Sequence, residues 1–103
     1  MSICRPTVYR ETPFSVIIDK DLMSGRFDRL VVEHDAEGRP LRVTIIDYKS
    51  DRVDNESKLA AAVERHSSQM EAYRKGTAKL TGLVENKIEA LLMFTRIGRV
   101  EKI

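Results

Sequence analysis

The run at residues 41–48 is rich in Val, Ile and Thr and closes on two opposite charges, Asp47 and, one residue beyond it, Lys49, which most limits how this chain can fold. Such a run reads as a strand, and a charged pair at its end is expensive to hold without partners. Side chains alternate along a strand with period two, so Asp47 and Lys49 share a face and Tyr48 takes the other. An earlier run, 27–33, is separated from it by the turn-forming cluster His34-Asp35-Ala36-Glu37-Gly38-Arg39-Pro40. The two runs predict an antiparallel hairpin with its tip near Gly38. Asp28 and Asp47 then lie toward the open end, close in space although far apart in sequence, with the register left undetermined. If the strands pair there, two carboxylates and an ammonium converge. That is a setting for a hard divalent cation and an activated water.

The rest of the chain must supply a core for this hairpin, and 103 residues are enough for one domain. Residues 13–19 read as a first strand, with Pro13 suited to its opening position. The polar segment 50–56 reads as a loop, with Ser57 as the expected helix cap. Leu59, Ala62, Val63, His66, Met70, Tyr73 and Leu80 recur at spacings of three and four with one longer gap, the pattern of an amphipathic helix that stops before Gly82. Ile88, Ala90, Leu92 and Phe94 alternate as another strand, and Arg96-Ile97-Gly98-Arg99 turns the chain into a short last strand at 100–103. Three strands, a long helix and two strands make an α/β plan, or α+β, with the helix covering one sheet face.

Several functions are excluded at this level. Apolar residues make up 42% and charged residues 33%, a globular balance. No apolar run approaches the roughly 20 residues that span a bilayer, and the opening segment lacks the apolar centre of a signal peptide, so no membrane role and a cytoplasmic location are expected. Cys4 is the single cysteine, which rules out an internal disulfide, a four-cysteine zinc site and an iron–sulfur cluster within this chain, and reads as a free thiol near a frayed terminus. A phosphate-cradling Gly-x-x-x-x-Gly-Lys-Ser/Thr loop is absent, so no motor or kinase activity resides here. A net charge of +2 is too small to mark a nucleic-acid binder by bulk electrostatics. Arg65, Arg74, Lys75 and Lys79, interspersed with Glu64 and Glu71, read as a solvated helix face with a phosphate track as a second use. His66 reads as a half-buried helix residue, His34 as a solvated turn residue, and Met70 and Met93 as core fillers.

Four ordered blocks carry a resemblance: Tyr9-Arg10-Glu11-Thr12-Pro13-Phe14, Gly25-Arg26-Phe27-Asp28-Arg29-Leu30, Ile46-Asp47-Tyr48-Lys49-Ser50 and Gln69-Met70-Glu71-Ala72-Tyr73. Together they resemble the nuclease domain of bacterial helicase-nucleases of the RecB and AddA type, within the PD-(D/E)XK superfamily. The segment Leu91-Leu92-Met93-Phe94-Thr95 and its following turn are similar to the strand pair that ends such domains. The resemblance implies a restriction-endonuclease-like mixed sheet with a core β-hairpin, one long flanking helix and a C-terminal strand pair. It implies magnesium-dependent hydrolysis of DNA phosphodiester bonds, with manganese as a substitute and exonuclease rather than endonuclease action. Asp28 and Asp47 stand for the acidic metal ligands, the Tyr48 backbone carbonyl for a third oxygen ligand, and Lys49 for the active-site lysine. Gln69 and Tyr73 match a Gln-x-x-x-Tyr pattern that holds the lysine or a DNA phosphate. Glu11 matches a glutamate that often precedes the first strand.

The implied partners are DNA and a helicase motor in the same chain or complex, in recombination and double-strand-break repair. Members carry a helical stretch ahead of the first strand, with a histidine or glutamate that completes the site. Residues 1–103 are therefore expected to form a single RecB-like nuclease domain without that N-terminal helical part. Three other readings stay open at this point: a structural Asp28–Lys49 ion pair, a catalytically degenerate fold serving as a DNA-binding or assembly module, and an interaction domain with no nucleic-acid role.

Overall fold

A computed structural model describes residues 6–103; Cys4 lies outside them. The elements run β1 (Thr7–Ile18), β2 (Asp21–His34), β3 (Pro40–Lys49), α1 (Glu56–Thr81), a 3-10 turn (Glu85–Lys87), β4 (Ile88–Phe94) and β5 (Arg99–Lys102). The strands form one sheet in the order β1-β2-β3-β4-β5, antiparallel throughout except for the parallel β3–β4 pair. A parallel pair needs a crossover, and α1 is that crossover. The mixed sheet with one covering helix is the expected fold.

One face of the sheet packs on the helix. Val43 and Ile45 of β3, Ile88, Ala90, Leu92 and Phe94 of β4, and Leu59, Ala62 and Met70 of α1 are all buried in a single cluster. Alternation puts Asp47 on this same face, 7% exposed, at the end of β3. Met70 is a core filler as read, while Leu80, at the end of the helical pattern, is 53% exposed.

Two element boundaries differ from the sequence reading and one agrees with it. The first strand begins at Thr7 rather than 13 and continues into a tight β1–β2 hairpin, because Asp19 (φ 50°) and Lys20 (φ 72°) both adopt the left-handed conformation. Two-residue hairpin loops of this type favour Asn and Gly, so Asp-Lys gives little warning of one. The helix cap is Asn55, not Ser57: its extended backbone lets Oδ1 accept from the Lys58 N–H at 2.9 Å. Gly82 ends the helix at φ 76°, returning its N–H to the Ala78 carbonyl.

The β2–β3 hairpin forms as expected, tipped by Gly38 at φ 82°. Asp35 Oδ1 accepts from the Arg39 and Glu37 N–H groups, each at 2.9 Å, and these bonds, Arg39 foremost, hold its carboxyl below the usual carboxylate range. His34 ends β2 half-buried rather than solvated. Arg74 is not part of a solvated face either. Its guanidinium donates to the Ile88 and Ile103 carbonyls and to Glu71, tying α1 to the edge of the sheet.

Toward its hairpin turn the β1–β2 ribbon leaves β3 and wraps onto the helix. Backbone pairing of β2 with β3 stops at Arg29↔Ile46, while pairing with β1 continues to Asp21. Buried positions on β2 change parity between Phe27 and Val32, so the ribbon rotates about its axis at Asp28. On β1 the partner position is Glu11, whose φ of 46° breaks the rung between Arg10↔Arg29 and Thr12↔Phe27. Beyond this twist Phe14 stacks on Phe27 at 4.3 Å, and both rings meet Tyr73 of α1 edge-on, at 5.2 and 5.7 Å.

Candidate active site

The site grows out of the fork where β2 parts from β3. One further step of the register would set Asp28 opposite Asp47, but the backbone no longer reaches. Instead Asp28 Oδ2 accepts from the Tyr48 N–H at 2.9 Å, a side chain standing in for a strand carbonyl. In a strand the N–H and C=O of one residue point to the same side, so the Tyr48 carbonyl also faces the fork.

Lys49 is fixed at both ends. Its carbonyl accepts from the Thr95 N–H (3.0 Å) and hydroxyl (3.3 Å), and the next carbonyl, of Ser50, accepts from Arg96 Nε at 2.8 Å. Its ammonium lies 2.7 Å from Asp47 Oδ2 and donates to Gln69 Oε1 at 3.3 Å. Gln69 Nε2 in turn donates to the Tyr73 hydroxyl at 3.3 Å. Asp47, Lys49, Gln69 and Tyr73 thus form one polar chain whose far end is anchored by aromatic packing. The ion pair of Lys49 is with Asp47, which removes the Asp28–Lys49 pair considered from sequence.

Asp47 is the electrostatic centre. Burial pushes its carboxyl above the usual carboxylate range, the Asp28 carboxyl beside it adds to the rise, and the Lys49 ammonium opposes both. The ammonium lies beside Oδ2 as an ion-pair partner. That buried oxygen has no hydrogen-bond partner among the described residues. A buried carboxylate whose Oδ2 has only the Lys49 ammonium beside it, an adjacent carboxylate and a strand carbonyl facing the same fork suit a hard cation that retains waters. No cluster of three or more His, Cys, Asp or Glu side chains with metal-binding geometry occurs among the described residues. Glu11, expected ahead of the first strand, sits inside β1. With Arg10, Asp28, Arg29 and Tyr48 it lines an open cleft of about 480 Å³.

Residues 5–102 match the profile of the PD-(D/E)XK nuclease superfamily. The chain belongs to the PD-(D/E)XK nuclease superfamily. A similar protein is an ATP-dependent helicase/nuclease subunit of Limosilactobacillus fermentum (strain NBRC 3956 / LMG 18251), 32% identical over 109 aligned positions that take in 90% of this chain. The chain spans only 8% of the length of that relative.

Two groups around this PD-(D/E)XK site escaped the sequence reading. Arg10 and Arg29 face each other across β1 and β2 and line the cleft. Asp51, just past the lysine, accepts from Arg65 at 2.7 Å and bonds His66 Nε2 at 3.0 Å; the bonds from His66 and then Arg65 hold its carboxyl below the usual range. His66 is half-buried as read, and its partner is a loop residue that helical spacing could not reveal. No helix among the described residues is long and apolar enough to cross a membrane.

Proposed function

We propose that this chain is the catalytic core of a DNA nuclease that uses magnesium, or manganese in its place, and acts as an exonuclease coupled to a helicase motor in double-strand-break repair and recombination. The observation that carries the reading is the buried Asp47 carboxylate, whose Oδ2 has only the Lys49 ammonium as a neighbour, set between Asp28 and Lys49 at the fork of the sheet. Superfamily membership and the similarity to a helicase/nuclease protein support the setting. Residues 1–103 act as one nuclease domain in the cytoplasm.

In this reading Asp28, Asp47 and the Tyr48 carbonyl hold the cation. When bound, it polarises the phosphate and lowers the pKa of a water. Lys49 offsets negative charge that builds on the phosphate oxygens during attack. Gln69 aims the ammonium, since its amide oxygen accepts from Nζ, and Tyr73 holds the amide by accepting from the other end. Glu11 adds a carboxylate to the approach. The helix therefore sets the lysine, and the hairpin sets the acids.

The test is degradation of linear single- and double-stranded DNA with magnesium, manganese or EDTA. Cleavage with either metal and none in EDTA is expected. Lys49→Ala should lower kcat by roughly 10²–10³-fold, the loss typical of removing one preorganised donor. An inactive chain whose magnesium affinity is unmoved by Asp47→Ala overturns the assignment. The two-carboxylate donor set favours one other reading, a fold that binds DNA or an assembly partner without cutting. Salt-dependent binding with no cleavage in any metal selects it.

A further inference from the structure

Arg10 and Arg29 are Cα partners on adjacent antiparallel strands and line the same cleft as Asp28, Glu11 and Tyr48. Like charges directly opposite each other destabilise a strand pair, and a carboxylate within reach of the guanidiniums would offset the repulsion. Here neither guanidinium has an ion pair or hydrogen bond among the described residues, although Glu11 and Asp28 occupy the very next position on each strand. The cleft therefore presents a doubly cationic rung followed by two carboxylates at the position where the pairing is broken. The left-handed turn of the backbone at Glu11 separates them. Arg10 is exposed and Arg29 half-buried, so both are open to solvent ligands.

We propose that the Arg10–Arg29 rung binds the phosphodiester backbone of a nucleic-acid strand and sets that strand's register against Asp28. Planar guanidiniums match phosphate oxygens in a fork geometry, and a bridging phosphate removes the repulsion that the free protein bears. The contact is with backbone and carries no base specificity. This rests on the nuclease reading for its place in the reaction, but not for the binding itself.

The experiment measures anisotropy of a short labelled single-stranded oligodeoxynucleotide with the full chain across a monovalent salt series, in EDTA so that neither cleavage nor a divalent cation contributes. Losing the bridged phosphate should lower the slope of log K against log salt by about 0.7 in the R10Q/R29Q double variant, the value per phosphate on single strands. The double R10K/R29K variant should restore most of the slope. Thermal melting of R10Q/R29Q should be unchanged or raised, since removing opposed charges relieves the strand pair. A variant that melts lower while keeping the wild-type slope makes the arginines structural and overturns the proposal. Competition by inorganic phosphate at its own affinity, matching that of the oligonucleotide, identifies a free-phosphate site and also overturns it. Because binding is read without metal, a chain that never cuts DNA still gives a clear result. A chain that cuts and whose R10Q/R29Q variant binds normally refutes this inference alone.

Discussion

Asp47 concentrates the electrostatic tension of the molecule in one carboxyl. Its pKa in the folded chain is raised above the ordinary value of 3.8, so between those two values the folded state binds more protons than the unfolded one. Stability therefore falls as pH rises through that window, and at neutral pH the ionised group works against folding. Asp47→Asn is expected to raise the Tm at pH 7 in EDTA, with the gain shrinking as the pH is lowered toward about 4; a variant that melts lower at pH 7 contradicts the sign. Glu11 carries a different strain, since its φ of 46° costs an ordinary residue about 1–2 kcal/mol. Glu11→Gly should stabilise the chain by about 1 kcal/mol, whereas Glu11→Gln, which keeps the side chain's bulk, should leave the stability within about 0.5 kcal/mol of wild type. If the carboxylate assists cation binding, calorimetric magnesium affinity falls equally in both.

At the scale of elements, the helix and the twisted ribbon are coupled through two glycines. A Cβ on Gly76 would meet the flexible end of Met23 at 2.3 Å, whereas one on Gly25 would meet the rings of Phe14 and Tyr73 at 2.9 Å. Met23 can swing away and the rings cannot without repacking. Gly25→Ala is therefore expected to destabilise by about 1–3 kcal/mol and to displace Tyr73, which should lower nuclease activity beyond what the stability loss explains. Gly76→Ala should be nearly neutral, its clash offset by about 1 kcal/mol of helix propensity. Denaturant titration of both variants separates the two cases.

This coupling also shows what could be read in advance. The β2–β3 hairpin, the helix and β4 announced themselves through period-two and period-3.6 patterns, which reflect burial on a single face. The start of β1 did not, because Thr7 to Glu11 are exposed along an edge strand and leave no apolar signature. The parity change at Asp28 was equally hidden, since it depends on a backbone break at Glu11 and not on residue type. The convergence of Asp28 and Asp47 was legible, and so was the shared face of Asp47 and Lys49, but the lysine's choice of Asp47 over Asp28 rests on side-chain placement and the Arg10–Arg29 rung on the register.

Taken as a whole molecule, the sheet divides into contacts of short and long reach. The β1–β2–β3 meander closes through two tight turns, while the parallel β3–β4 pair waits for all of α1 to fold and cross over. Loop closure over a long segment is entropically slow, which favours early formation of the meander. Val32→Ala in β2 should accordingly slow folding, and Leu92→Ala, at a fully buried site in β4 where truncation costs about 2–5 kcal/mol, should act mainly by speeding unfolding. Stopped-flow chevrons on the two variants decide the order, and the reverse pattern rejects it. The acids at the fork belong to the early-forming part, whereas Gln69, which aims the lysine, arrives with the crossover. On the reading proposed above, cleavage competence is then acquired only at the last docking step, so a nascent or half-folded chain can gather cations without cutting the strand it meets.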